Sequence, residues 1–94
     1  MLFIYPTPQP LEFCMRVCVI PIDIAFIDGD LRVVSTHTMA VEPDLAGRVL
    51  YPSGPAAQYV LEVAAGALAK AGVKPGDRVI LQNTPDAAKA ELGP

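Results

Sequence analysis

Apolar positions dominate from Phe13 to Ile27, where Arg16 and Asp23 are the only charges. The run is rich in β-branched and aromatic residues, and Pro21 interrupts it. It predicts two strands or one bent strand. Ile20, Ile22, Ile24 and Phe26 alternate onto one face, and Val19, Ala25 and Ile27 onto the other. Both faces are apolar, which suits a partly open barrel or a covered sheet. Asp28-Gly29-Asp30 then predicts a tight hairpin of the primed type, with positive φ supplied at Asp-Gly or Gly-Asp. The return strand is expected from Leu31 to about Met39.

The remaining segments are less uniform. Residues 1–5 form a short apolar run, and Pro6, Pro8 and Pro10 predict an extended, non-helical loop. Residues 42–57 hold Pro43, Gly47, Pro52, Gly54 and Pro55, a long irregular connection of the kind that often carries function. Local rules favour one helix over Ala56–Ala71, with Ser53 and Pro55 before it and Gly72 as its stop. Against this, Tyr59-Val60-Leu61-Glu62-Val63 reads as a strand, and Gly66 costs a continuous helix about 1 kcal/mol. A turn over 73–77 and a strand from Arg78 to Gln82 complete one domain over residues 1–82. The polar, alanine-rich residues 83–94 are expected to be a flexible tail.

At 94 residues, with 52% hydrophobic and 18% charged residues, the chain is too apolar for intrinsic disorder. Its net charge is −3, and its seven basic residues are scattered. That excludes the clustered basic footprint of a nucleic-acid partner. No apolar run approaches the roughly 20 residues of a membrane span. The start lacks a basic n-region and a cleavage site. As written, the chain is expected to be cytoplasmic. Cys14 and Cys18 on one strand would stand about 13 Å apart, beyond the roughly 7 Å limit of a disulfide. They read as small buried hydrophobes. With His37 they make a poor zinc set, so no metal and no cofactor is expected.

Several blocks together are specific. They are Phe13-Cys14-Met15-Arg16, Ile20-Pro21-Ile22-Asp23-Ile24-Ala25-Phe26-Ile27-Asp28, Tyr59-Val60-Leu61-Glu62-Val63, Ala65-Gly66 and Gly76-Asp77-Arg78-Val79, with Met1-Leu2-Phe3 at the start. Over residues 1–82 the chain resembles the bacterial and archaeal family named domain of unknown function 192. The resemblance implies an α+β domain: a curled, mainly antiparallel sheet or partly open β-barrel of about five strands. It also implies a strand at Tyr59–Val63 followed by one short helix near Gly66–Ala71, which overrules the long helix. No agreed activity comes with the family, and many members carry an export signal or lipid anchor. Two departures stand out. Val17-Cys18 replaces the usual Asn-Thr, and Cys14 replaces the usual tryptophan. Family members also extend upstream of the Met-Leu-Phe match. A longer natural chain would be exported or periplasmic; a missing strand would leave an unpaired sheet edge through which a homodimer could form.

Five residues are candidates for ligand contact. Asp23 is a carboxylate inside an apolar strand and must be paired or hydrogen-bonded, to a ligand, to Arg16 or to backbone N–H groups. Glu62 sits similarly and could join Asp23 as an acid/base pair or bridge to Arg16 or Arg78. Arg16 suits carboxylate or phosphate recognition, or serves as a buried counter-ion. Tyr51 and Ser53 lie in the long Pro/Gly loop. The sequence points first to a small binding or accessory module without catalysis of its own, using the loop from Glu42 to Ala57 to hold a small molecule or protein. The alternative is an enzyme acting on a small polar or anionic substrate, with Asp23 and Glu62 as acid/base and Arg16 orienting. No phosphate loop or nucleophile elbow is present.

Overall fold

A computed structural model describes residues 1–80. In chain order the strands are β1 (Leu2–Gln9), β2 (Glu12–Phe13), β3 (Ile22–Ile27), β4 (Val33–Met39), β5 (Tyr51–Pro52) and β6 (Ala57–Ala64). One helix, α1 (Ala67–Ala71), follows. A four-stranded antiparallel sheet runs β1-β6-β3-β4, and β2 and β5 form a separate two-stranded ribbon. The fold is α+β with a curled, open sheet; among the described residues it does not close into a barrel.

The expected apolar stripe is realised from Ile22 to Ile27, whereas Val19 and Ile20, expected on its two faces, precede the strand and are exposed. β3 is central and buried on both faces. Ile24 and Phe26 join Met39, Val60, Leu11, Met15 and Ala57 in the core, which the β2–β5 ribbon and its flanking loops cover. The opposite face, carrying Asp23 and Ala25, lies under α1, which buries Leu68. β6 settles the ambiguity over residues 56–71. Tyr59 to Val63 is strand, and the helix begins only after Gly66, whose φ of 90° a β-carbon would resist. Residues 76–79 lie beside the start of β4: Val33 N donates to Asp77 O (2.9 Å) and Val79 N to Leu31 O (2.7 Å). The strand expected from Arg78 is thus a single bridge, Arg32 to Arg78, and its end at Gln82 lies outside the described residues, as does the tail from Asn83.

Three other expectations are corrected. The proline segment is strand, not loop: β1 runs through Pro6 and Pro8, with an irregular register between Ile4 and Gln9. This is permitted because β1 is an edge strand. Met1 and Glu62 exchange backbone hydrogen bonds, so Leu2 and Ile4 point their N–H groups outward. Pro6 then offers none, which leaves only a short open edge. Second, Asp28-Gly29-Asp30 does not form a primed turn. Leu31 N donates to Asp28 O (3.1 Å), and Leu31 takes the left-handed conformation at φ 63°. The Asp28 carboxylate organises this turn, accepting from Asp30 N and Arg32 N, both at 2.9 Å. Third, residues 14–18 are not a strand. Cys18 N donates to Met15 O (3.1 Å), closing a turn with Val17 at φ 54°. Cys14 is exposed and Cys18 half-buried, so neither is the fully buried hydrophobe expected.

Candidate functional site

Asp23 is buried, and all its hydrogen bonds are internal. Oδ1 accepts from Thr38 Oγ1 (2.8 Å), its cross-strand neighbour on β4. Oδ2 accepts from the backbone N–H groups of Gly66 (2.9 Å) and Leu68 (3.2 Å). Gly66 is the N-cap of α1 and has no side chain to satisfy these donors. A carboxylate from the central strand does so instead, pinning the helix to the sheet. A cleft of about 220 Å³ opens beside it, lined by Thr36, Thr38, Ala69 and Val73 among others. Of the readings open to Asp23, backbone N–H partnership is the one the geometry realises.

Glu62 does not join Asp23. Asp23 pairs with Val63 and Ile24 with Glu62, so successive residues place the two carboxylates on opposite faces of the sheet. No shared proton or substrate can lie between them. Arg16 reaches neither: it is exposed, on the turn at residues 15–18, and forms no ion pair among the described residues. The expected buried counter-ion is replaced by backbone donors at Asp23. Glu62 is half-buried beside Ile20, Ile22, Val63 and Ala64, in a groove of about 310 Å³. Loss of hydration pushes its carboxyl above the ordinary value of 4.5, partly offset by the α-ammonium of Met1. The folded state thus binds the Glu62 proton more tightly than the unfolded chain. The penalty is absent below about pH 4.5 and grows as pH rises through the folded value. Glu62→Gln should therefore stabilise the fold at pH 7 relative to pH 4, measured as the difference between variant and parent in urea midpoints. A difference that does not change with pH would refute this.

Ser53 and Tyr51 serve the architecture of the loop. Ser53 is buried; its Oγ accepts from Leu11 N (3.0 Å), its N donates to Leu11 O (2.8 Å), and its O accepts from Ser35 Oγ (2.7 Å). These bonds fasten the end of the ribbon to the core sheet. Tyr51 ends an edge-to-face series, Phe3–Phe13–Phe26–His37–Tyr51, with ring centroids 5.4–5.9 Å apart. His37 Nε2 lies 2.8 Å from Pro52 O. Among the described residues no three His, Cys, Asp or Glu side chains converge. The five candidates are thus spread over both sheet faces and two loops.

Sequence reasoning missed Glu42. It is buried, and its two oxygens accept from Arg48 N (2.7 Å) and Val49 N (3.2 Å), closing residues 42–49 into a compact loop. That loop seats on the turn at residues 15–18. Val17 N donates to Leu45 O (3.0 Å), and a β-carbon at Gly47 (φ 72°) would stand 2.9 Å from Arg16 Cβ. Proline and glycine gave the loop its place in the sequence. A carboxylate folding back onto N–H groups six and seven residues ahead has no marked local signature.

The fold and the dispersed site can be set beside known proteins. No curated protein matches the chain significantly. Two solved structures do. One is a protein provisionally assigned as a transcription regulator, from Sinorhizobium meliloti 1021. It is 33% identical, with a TM-score of 0.72, over 83% of this chain and 58% of that one. The other is a protein of unknown function from Novosphingobium aromaticivorans. It is 36% identical, with a TM-score of 0.73, over 83% of this chain and 54% of that one. The chain therefore spans less than three-fifths of the length of either. The model of the DUF192 family, described as uncharacterized ACR, matches residues 1–81, and the chain belongs to that family.

Proposed function

We propose that this domain is a binding or accessory module that docks an apolar partner surface on the loops at residues 14–21 and 40–50. One observation carries the reading. Among the described residues eight large hydrophobic side chains are exposed, and six of them are Val17, Val19, Ile20, Val41, Val49 and Leu50. Exposed apolar side chains gathered on one surface mark interaction sites. These two loops are also tied down, by the Glu42 carboxylate, the Val17–Leu45 bond and the close approach of Gly47 to Arg16. A preorganised surface loses less entropy on binding. Catalysis by an Asp23/Glu62 pair lacks geometric support, because the sheet separates the two groups. Regulation of transcription, the role assigned to one relative, calls for a basic face if it works through DNA. Here Arg32, Lys74 and Arg78 stand near Asp28, Asp30 and Asp77, which favours a protein partner.

The test is a photo-crosslinking amino acid placed at Val19, Leu50 or, on the helix side, Ala69, in cells of the source organism. Discrete adducts are expected from Val19 and Leu50, and none from Ala69. Val49→Asp should remove them while changing stability by no more than about 0.5 kcal/mol. Absence of adducts at both loop positions would overturn the proposal.

A further inference from the structure

The groove at the open end of the sheet meets the loop surface only at Ile20 and has its own chemistry. Its walls are Met1, Ile20, Ile22, Val63 and Ala64, and its one ionisable side chain is Glu62. The sheet register explains the arrangement. Glu62 pairs with Ile24, and Ala64 with Ile22, so Glu62 sits in the row nearest the core while the next row is apolar. A short residue at Ala64 leaves room where a larger side chain would fill the row. Met1 and Ile20 remain largely exposed along the rim.

The Glu62 carboxylate forms no hydrogen bond and no ion pair with any described residue. The α-ammonium of Met1 is close, but it donates to the backbone carbonyl of Glu62 and leaves the carboxylate oxygens open. Burial already weakens the hydration of this carboxylate. A half-desolvated anion among aliphatic side chains gains most from a cation that brings its own apolar surface. A free inorganic cation would gain the charge and leave the walls wet. An anionic or neutral amphiphile would cover the walls and leave the charge unpaired.

We infer that this groove is a binding site for small primary ammonium compounds carrying a short aliphatic tail, with the ammonium on Glu62 and the tail against Ile20, Ile22 and Ala64. The volume of about 310 Å³ lies at the lower end of ligand pockets, which fits a compact amine. The site does not depend on the loop surface proposed above, since of the six loop residues only Ile20 belongs to both.

The test is a titration of the uniformly ¹⁵N-labelled full chain with n-hexylammonium, n-hexanol and hexanoate at pH 7.5, followed by amide chemical shifts. Hexylammonium should shift Ile22, Glu62, Val63 and Ala64 saturably. It should bind about tenfold tighter than hexanol, the ratio one charge-assisted contact supplies, and hexanoate should bind more weakly than either. Glu62→Gln keeps the side-chain shape and should bring hexylammonium to the level of hexanol without altering hexanol binding. Equal binding of amine and alcohol, shifts confined to residues 41–50, or no saturable shift at all would each overturn the inference. So would amide shifts at these four positions that follow protein concentration without ligand, because a second copy of the chain would then own the groove.

Discussion

Replacing Asp23 with alanine is expected to lower the thermal midpoint by on the order of 15 °C. The side chain supplies three charge-assisted hydrogen bonds at once, to Thr38 Oγ1 and to the N–H groups of Gly66 and Leu68. Leu68 N is buried, so removing its acceptor costs about 1–3 kcal/mol, and the part-buried Gly66 and Thr38 bonds add to that. A total near 3 kcal/mol corresponds to roughly 4–8 °C per kcal/mol in a domain of this size. The helix has five residues and no side-chain cap of its own, so it has little stability apart from the sheet. Asp23→Asn is the discriminating control. Its carbonyl can serve the two N–H groups while its amide donates to the Thr38 hydroxyl, so more than half the loss should be recovered. Amide exchange at Gly66–Ala71 should accelerate in the alanine variant beyond what global unfolding explains. A loss below about 1 kcal/mol would mean that water replaces the carboxylate and that Asp23 does not hold α1.

Asp23 also shows where the sequence was legible and where it was not. Its oddity is local: a charge inside an apolar alternating run must be satisfied. Two of the three satisfying groups are backbone donors 43 and 45 residues away, and no residue type there advertises them. The same division recurs. Alternation along Ile22–Ile27 placed the core correctly, because period-two burial is a property of the segment itself. The family resemblance, and not helix propensity, resolved β6, since tertiary pairing with both β1 and β3 outweighs a run of alanines. The edge position that lets Pro6 and Pro8 lie in a strand, and the carboxylate that turns Asp28–Arg32, both depend on neighbours that single-residue rules do not see. Asp23 and Glu62 each stand out in the sequence as carboxylates inside apolar runs. Their separation follows only from register, because residues one position apart across a ladder emerge on opposite faces.

Dispersal of the polar candidates shifts attention to what the framework presents. Ser53 and Tyr51, which in sequence look like exposed loop chemistry, hold the ribbon and loop in place together with Glu42, which the sequence did not mark. The apolar side chains between them are left outward. This loop is shaped by its buried polar residues, and the proposed docking would use its exposed hydrophobic ones. Mutation of the polar set should therefore be read first as a change in stability.

That reading gives the second large effect, at Phe26. This ring is fully buried and lies 5.7 Å from Phe13 and 5.9 Å from His37, centroid to centroid, in edge-to-face contact with both. It is the middle of the aromatic series joining β1, the ribbon and β4. Phe26→Ala should cost about 3–5 kcal/mol through lost transfer energy and the cavity left behind. For a domain with a total of about 5–15 kcal/mol, that is a large fraction. The β2–β5 ribbon pairs only Glu12 with Pro52 and Phe13 with Tyr51, and a two-stranded ribbon does not stand alone. The ribbon should therefore loosen before the main sheet does. Limited proteolysis should cut first within residues 40–56 in this variant, while β3–β6 amides stay protected below the unfolding midpoint. Phe3→Ala, at the half-buried end of the series, should cost less and leave residues 40–56 resistant, because Phe13 keeps its contact with Phe26. Equal losses from the two variants would mean that the rings pack independently. A graded loss, with early cleavage only for Phe26→Ala, would establish that the series holds the loop surface on the sheet, and crosslinking from Leu50 should then disappear in that variant as well.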